Sequence, residues 1–300
     1  MRILHLSDTH VNGAGQPFPD GVDARGCLTR MLGDCAGVGP LDLVVLSGDV
    51  TNDGSVSGYE FAAAAVGDFA RAHGAAQVYC MGNHDARSSF GQVLGSGHHG
   101  VDGARLGTPM PSADGERAAV SEVAGYRVVT LDTLVPGQVH GWLSDAQLAW
   151  LGAVLAEPAG RGTVLVMHHP PVIVPGNPVH RAVMLRNASM LADAITGSDV
   201  EVVLCGHFHQ QLTGRLGSAT VVVTPGVVHR IDSLALPRSE RAVRGASATI
   251  VELGHPESPV SYVLSGHDPR SGEVAYEVSV SEIMNELSGL EGPDVPSRRD

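Results

Sequence analysis

Five short apolar segments of this chain each run directly into an Asp, Asn or His, and no other feature narrows the fold as much. Residues 2–7 end at Asp8, 42–47 at Gly48-Asp49, and 77–81 at Gly82-Asn83-His84-Asp85. Residues 163–167 end at His168-His169-Pro170-Pro171, and 200–205 at Gly206-His207-Phe208-His209. Apolar runs of this length, bounded by turn residues, read as buried strands. Between them the apolar period changes to that of a helix. Ala24, Leu28, Met31, Leu32 and Cys35 share one face within 22–38, and Tyr59, Ala62, Val66 and Phe69 share another, closed by His73-Gly74. Ser144 and Gln147, with Leu143 and Leu148 as a staple, open a further helix that Glu157-Pro158 ends. Another helix is expected over 186–196. Strand and helix in alternation predict an α/β fold.

The stretch 86–118 is rich in Gly, Ser and Pro and reads as a long loop with one short helix. Loops of that length in a compact domain are usually functional or mobile. Residues 126–131 form another strand. After residue 210 the pattern turns to successive strands at 211–216, 219–224, 248–253 and 259–264. The organisation expected is a catalytic domain over 1–265 and a partly ordered C-terminal extension over 266–300, with a short helix at 281–288. That extension carries no candidate ligand and is expected to be dispensable for chemistry.

Composition excludes several classes. The formal net charge is −13, and the only notable basic pair, Arg298-Arg299, lies in the tail. A nucleic-acid polymer would meet a repulsive average field. A small anionic substrate is still allowed, because bound dications reverse the potential locally. No run of eighteen apolar residues is present to span a membrane. Met1-Arg2 leads at once into a strand without a signal sequence, and the cysteines at 27, 35, 80 and 205 form no CxxC pair. They read as reduced, buried thiols of a cytoplasmic protein. The sequence sets no oligomeric state and is compatible with a homodimer. The anomaly is histidine, with fifteen residues.

In open α/β sheets ligands bind at the C-terminal rim of the strands, where Asp8, His10, Asp49, Asn83, His84, His168, His207 and His209 are all expected. Carboxylate and amide oxygens with imidazole nitrogens, and no thiolate, suit Mn, Fe, Zn, Co or Mg. In extended chain, the spacing of Asp8-Thr9-His10 and of His207-Phe208-His209 turns both members of each pair to one side. Asp49, on a sharp turn after Gly48, is the natural bridge between two ions. Ions ~3.5–4 Å apart can share a hydroxide that attacks phosphorus at neutral pH, and can stabilise the charge on the phosphoryl oxygens.

These five blocks, in this order, resemble the signature blocks of the calcineurin-like metallophosphoesterases over roughly residues 1–230. Finer features are similar to bacterial class III cyclic-nucleotide phosphodiesterases: Leu131-Asp132-Thr133, Pro136-Gly137 before Gly141, the helix around Gln147-Leu148-Ala149-Trp150-Leu151, and His168-His169-Pro170-Pro171. The resemblance implies a four-layer αββα sandwich of two mixed sheets flanked by helices. It implies that Asp8, His10, Asp49 and His209 bind one divalent ion and that Asp49, Asn83, His168 and His207 bind the other, with Mn or Fe favoured. His84 would be a non-ligand that contacts the phosphate and protonates the leaving oxygen. Asn83 and His140 would lie near the substrate, a structural role weighing equally for His140. Purple acid phosphatases carry a tyrosine ligand shortly after the Gly-Asp pair; Val50-Thr51-Asn52-Asp53 stands here, which argues against an iron(III)–tyrosinate centre.

The expected activity is metal-dependent hydrolysis of a small phosphodiester, with 3′,5′-cyclic nucleotides (cAMP, also cGMP) leading. Glycerophosphodiesters, 2′,3′-cyclic nucleotides and other phosphoesters are the alternatives, since ligands alone do not discriminate among them. A binding scaffold, as the retromer subunit of the superfamily resembles, would be expected to lose ligands, and none is lost. Elsewhere the bland reading is preferred. His169 is expected to be structural, His98-His99 to sit in a solvated loop, His5 to be a satisfied core histidine, and the cysteines to serve packing.

Overall fold

The computed structural model describes residues 1–290; the tail with Arg298-Arg299 lies outside them. The first part comprises β1 (Arg2–Leu6), α1 (Ala24–Asp34, prolonged by a 3-10 turn over Cys35–Gly37), β2 (Leu43–Ser47), α2 (Val56–His73) and β3 (Ala76–Cys80). Next come α3 (Arg87–Val93), β4 (His98–His99), β5 (Thr108–Pro109), β6 (Ala119–Val123), β7 (Tyr126–Thr130), α4 (Asp145–Leu155) and β8 (Thr163–Val166). Then follow α5 (Pro178–Val183), α6 (Ala188–Ile195), β9 (Val200–Cys205), β10 (Leu212–Leu216) and β11 (Ala219–Val223). The last part adds β12 (His229–Ile231), β13 (Ser239–Arg244), β14 (Ser247–Glu252), β15 (Val260–Ser265), β16 (Val274–Ser279) and α7 (Val280–Leu290).

One sheet has the order β15-β14-β1-β2-β3-β4, the other β10-β11-β9-β8-β7-β6-β5. Their centres are parallel (β1-β2-β3, and β11-β9-β8-β7), and their margins are antiparallel. The period of two in a strand sorts side chains between cores. Ile3, Leu43, Val45, Val128, Val164 and Val202 point between the sheets. Their chain neighbours Leu4, Val44 and Leu46 pack outward with α1 and α2, and Val129, Leu165 and Val203 pack outward with α4 and α6. Three cores separate four layers, which is the expected αββα sandwich. Burial on both faces is also why the central strands read as unbroken apolar runs.

Helix ends follow local chemistry. The side chains of Asp23, Ser55 and Ser144 accept from backbone N–H groups two or three residues into α1, α2 and α4, and α2 stops at Gly74, whose φ is 71°. Gln147 departs from its expected part in a capping box. Its side chain turns away to hold Asp132, accepting from the backbone N–H at 2.7 Å and donating to the carbonyl at 2.9 Å.

The loop expected over 86–118 needs correction. Its short helix is present as α3, packed on α2, but the remainder is not all loop: β4 extends the first sheet beside β3 and β5 extends the second beside β6. A third sheet, β12-β13-β16, was not anticipated, because its strands are half-buried and lack a continuous apolar run. All four cysteines are buried and unpaired. Among the described residues no helix is long and apolar enough to cross a membrane.

His98 is not solvated. It is buried, with Nδ1 2.7 Å from Ser121 Oγ and Nε2 2.9 Å from Thr130 Oγ1. Burial, helped by His99, lowers its pKa from 6.5 to about 3. The unfolded chain therefore takes up the proton first, and this group's stabilising contribution is complete above pH 6.5 and is lost as pH falls toward 3. The loss amounts to about 2 kcal/mol at pH 5. In urea titrations of metal-free protein, the stability lost between pH 8 and pH 5 should be smaller in His98→Gln than in wild type by about that amount. Equal losses would rule out a buried neutral His98.

Candidate metal centre

β1, β2 and β3 present their C-terminal ends at one rim of the first sheet, and β8 and β9 present theirs at the rim of the second. Asp8 and His10, Asp49, Asn83 and His84, His168, and His207 and His209 follow these ends. The backbone there is unusual. Among the described residues six non-glycines have φ in the left-handed region: Asp8 (56°), His10 (42°), Asp49 (45°), His207 (71°), His209 (49°) and Ala124 (50°). Such residues are a few per cent of non-glycines and cost of order 1 kcal/mol or more, and they concentrate at functional sites. Five of the six are candidate ligands. Asp8/His10 and His207/His209 therefore do not converge by extended alternation; each side chain is turned inward by its own left-handed residue. Gly48 (φ 95°) serves the same convergence, since a Cβ there would lie 2.5 Å from His168 Nδ1.

The side chains meet in a buried cluster. Asp8 Oδ1 is 3.3 Å from His209 Nε2 and 3.9 Å from the Nε2 atoms of His10 and His168. Asp49 Oδ2 is 3.3 Å from His168 Nε2 and 3.6 Å from His10 Nε2. The His10 and His209 Nε2 atoms lie 3.2 Å apart, close enough for both to reach one cation. Four ligand-like groups overlap here: Asp8-His10-His209, His10-Asp49-His84, Asp8-Asp49-His168 and His168-His169-His207. One atom suits the cluster to a metal ion: Asn83 Oδ1 is buried and has no hydrogen-bond partner among the described residues, which would be costly without a ligand. The outer nitrogens are fixed: His168 Nδ1 lies 2.8 Å from the Ser47 carbonyl and His207 Nε2 lies 3.0 Å from that of Val183. Metal-binding imidazoles are commonly oriented in this way.

Electrostatics point in the same direction. Burial alone would raise both carboxyls, but His209 beside Asp8 and His168 beside Asp49 outweigh it and hold both well below the ordinary range. Burial lowers His168, yet Asp49 and Asp8 carry it up to about 9; for His209 too burial is outweighed, and Asp8 raises its pKa above the ordinary value. Burial dominates for His10 and His207, lowered to about 4 and about 3. Imidazole ligates only when unprotonated, so loading divalent ions would displace protons from the first pair.

The calcineurin-like phosphoesterase family model matches residues 1–211, a stretch that contains every candidate ligand. The chain belongs to the calcineurin-like phosphoesterase family. It is 36% identical over 231 residues to a probable cyclic nucleotide phosphodiesterase of Rhodococcus erythropolis, covering 77% of this chain and 72% of that one. It is 30% identical over 309 residues to a cAMP/cGMP dual specificity phosphodiesterase of Mycobacterium tuberculosis, covering 99% of this chain and 89% of that protein. A glycerophosphodiester phosphodiesterase of Enterobacter lignolyticus is 27% identical, over 77% of this chain and 79% of its own length. As a calcineurin-like phosphoesterase the protein is a hydrolase of phosphate esters, and the family's dependence on divalent metal suits the Asp/His/Asn donor set.

In this calcineurin-like phosphoesterase, His84 is exposed at the mouth of the cluster. Its ring stands edge-on to His10 at 4.7 Å, and its backbone N–H donates to Asp49 Oδ1 at 2.9 Å. His169 is buried, with Nδ1 2.7 Å from Thr133 Oγ1, and it joins His168 and His207 in one group. His5 is buried and reaches Ser47 Oγ at 2.8 Å through Nε2. His140 is buried and lines a small cavity of about 70 Å³, while its neighbour Val139 lines both that cavity and the one of about 220 Å³ that is lined by candidate ligands.

Sequence reasoning quoted two further residues without giving them a task. The Asp85 carboxylate accepts from the N–H groups of Val50, Thr51 and Gly82 and from Tyr59 Oη, which ties the Asp49 turn to the Asn83 turn. Asp132 pairs with Arg87 at 2.8 Å, and Arg87 also donates to the Leu134 carbonyl, which anchors the chain that leads to Val139. The chain after 266, expected to be dispensable for chemistry, supplies Tyr276, Ile283 and Leu287 to the lining of the cavity over the candidate ligands. A half-polar strand and a short helix carry no sign in sequence of where they dock.

Proposed function

We propose that the protein is a binuclear-metal phosphodiesterase that hydrolyses 3′,5′-cyclic nucleotides, cAMP and also cGMP, to 5′-nucleotides. The observation that carries this reading is the place of Asp49. Its Oδ2 lies 3.6 Å from His10 Nε2 and 3.3 Å from His168 Nε2, within reach of one histidine from each proposed site, as a bridging ligand would be. Asp8, His10 and His209 would complete one site and Asn83, His168 and His207 the other. When bound, two divalent ions supply an activated water and neutralise charge on the phosphoryl oxygens. The donors include no thiolate, in keeping with Mn or Fe and also with Zn, Co or Mg. His84 would contact the phosphate and pass its proton to the departing sugar oxygen. The two relatives named for cyclic nucleotides support the substrate class. Four unpaired buried thiols suit a reducing, cytoplasmic setting.

The relative named for glycerophosphodiesters supports a second reading on the same site. A non-catalytic scaffold is disfavoured by a donor set with no member missing. Protein loaded separately with each metal should be assayed on cAMP, 2′,3′-cAMP, glycerophosphocholine and a phosphomonoester. We expect the highest kcat/KM on cAMP. A higher value on glycerophosphocholine would move the assignment to the second reading.

A further inference from the structure

The cavity over the metal cluster has a wall that contributes no candidate ligand. Glu240 on β13, Tyr276 on β16, and Ile283 and Leu287 on α7 form it, lining the same cavity as His84 and His209. The wall is tied to the centre by rings: His229 stacks on His209 at 4.3 Å and meets the Tyr276 ring edge-on at 5.4 Å. Tyr276 Oη donates to Glu240 Oε1 at 3.4 Å. A carboxylate is a poor neighbour for an anionic substrate unless it has a donor to receive. It offers roughly four acceptor sites, of which Tyr276 takes one. It also discriminates by charge, since a monoester dianion is repelled more than a diester monoanion.

We propose that Glu240, oriented by Tyr276, accepts a hydrogen bond from an O–H or N–H on the organic group of the diester, while Ile283 and Leu287 cover that group's apolar face. The inference rests on the phosphodiesterase reading above and assigns the part of the substrate that is selected. In a cyclic nucleotide the donor is the ribose hydroxyl or a base amino group; in a glycerophosphodiester it is a glycerol hydroxyl. The third sheet and α7 thus form a specificity wall for a centre held by the two large sheets.

The test compares cAMP with bis(4-nitrophenyl) phosphate, a diester without such donors, on Mn-loaded wild type, Glu240→Gln, Glu240→Ala and Tyr276→Phe. Losing one hydrogen bond to a charged group corresponds to about tenfold in binding. In Glu240→Ala the ratio of kcat/KM on cAMP to that on bis(4-nitrophenyl) phosphate should fall about tenfold, through KM on cAMP. Glu240→Gln and Tyr276→Phe should fall less, in the same direction. Calorimetric titration should show the same loss for 5′-AMP and none for phenyl phosphate, which carries the same charge without the donors. An unchanged ratio, or an equal loss of both phosphates, would overturn the proposal. If wild type cleaves bis(4-nitrophenyl) phosphate but not cAMP, the cyclic-nucleotide reading fails by itself, and the ratio is read with glycerophosphocholine: a fall sustains the wall, no fall overturns it. Cleavage of neither donor-bearing diester would overturn both.

Discussion

Asp49→Asn is expected to leave the protein folded and nearly inactive, with both metal ions lost or only weakly held. Asparagine tolerates the left-handed backbone of this position (φ 45°) better than most residues, so the variant isolates the charge from the turn. The carboxylate is buried, faces His10 and His168 across 3.6 and 3.3 Å, and accepts the His84 N–H. Removing its charge takes away the carboxylate that lies nearest to both His10 and His168, one from each half of the proposed centre. Several kcal/mol of charge stabilisation from the ions is roughly a thousandfold or more in rate. That exceeds the ~10–100-fold typical of losing an outer hydrogen-bond partner. Metal content by elemental analysis and turnover, measured beside His10→Ala, give the comparison. If Asp49→Asn kept two ions and turned over within tenfold of wild type, the bridge assignment would be wrong.

His84→Ala is expected to keep the metal and lose turnover by ~10²–10⁴-fold, the range of general acid–base help. The contact between His84 and Asp49 is made by the backbone N–H and survives truncation of the ring. The ring itself is exposed in the cavity, so little packing is lost. The effect should depend on the leaving group. A sugar alkoxide needs a proton as it departs, whereas nitrophenolate does not, so the loss on cAMP should far exceed that on bis(4-nitrophenyl) phosphate. Equal losses would assign His84 to phosphate orientation rather than proton donation. Loss of an ion would make His84 a ligand, consistent with its place beside His10 and Asp49.

The central strands and the residues after them were legible because one physical cause writes both signals. A parallel strand buried on two faces must be apolar throughout, and its end is where polar residues can first appear. Residues 2–7, 42–47 and 200–205 therefore coincide with β1, β2 and β9 to within a residue. The reason given for convergence at Asp8-Thr9-His10 did not hold: the left-handed backbone, not extended alternation, turns these side chains inward. Residues 86–118 were misread as a loop because β4 and β5 are two residues long and exist only through their neighbours. His98 looked solvated for the same reason; its partners, Ser121 and Thr130, lie 23 and 32 residues away.

The sequence by itself determined which side chains could carry the chemistry, the order of the strands that bear them, and the α/β class, since these depend on local period and residue type; the four-layer architecture was implied only by the family resemblance. Only the tertiary structure decided that the rim of β1-β2-β3 meets the rim of β8-β9, which places Asp8 within 3.3 Å of His209 across some two hundred residues of chain. It also decided that β13, β16 and α7 close the cavity with Glu240, Tyr276, Ile283 and Leu287. Period and propensity report how a residue meets its chain neighbours. Which surfaces then face each other is settled by burying the remaining apolar area at once, and that is a property of the whole chain.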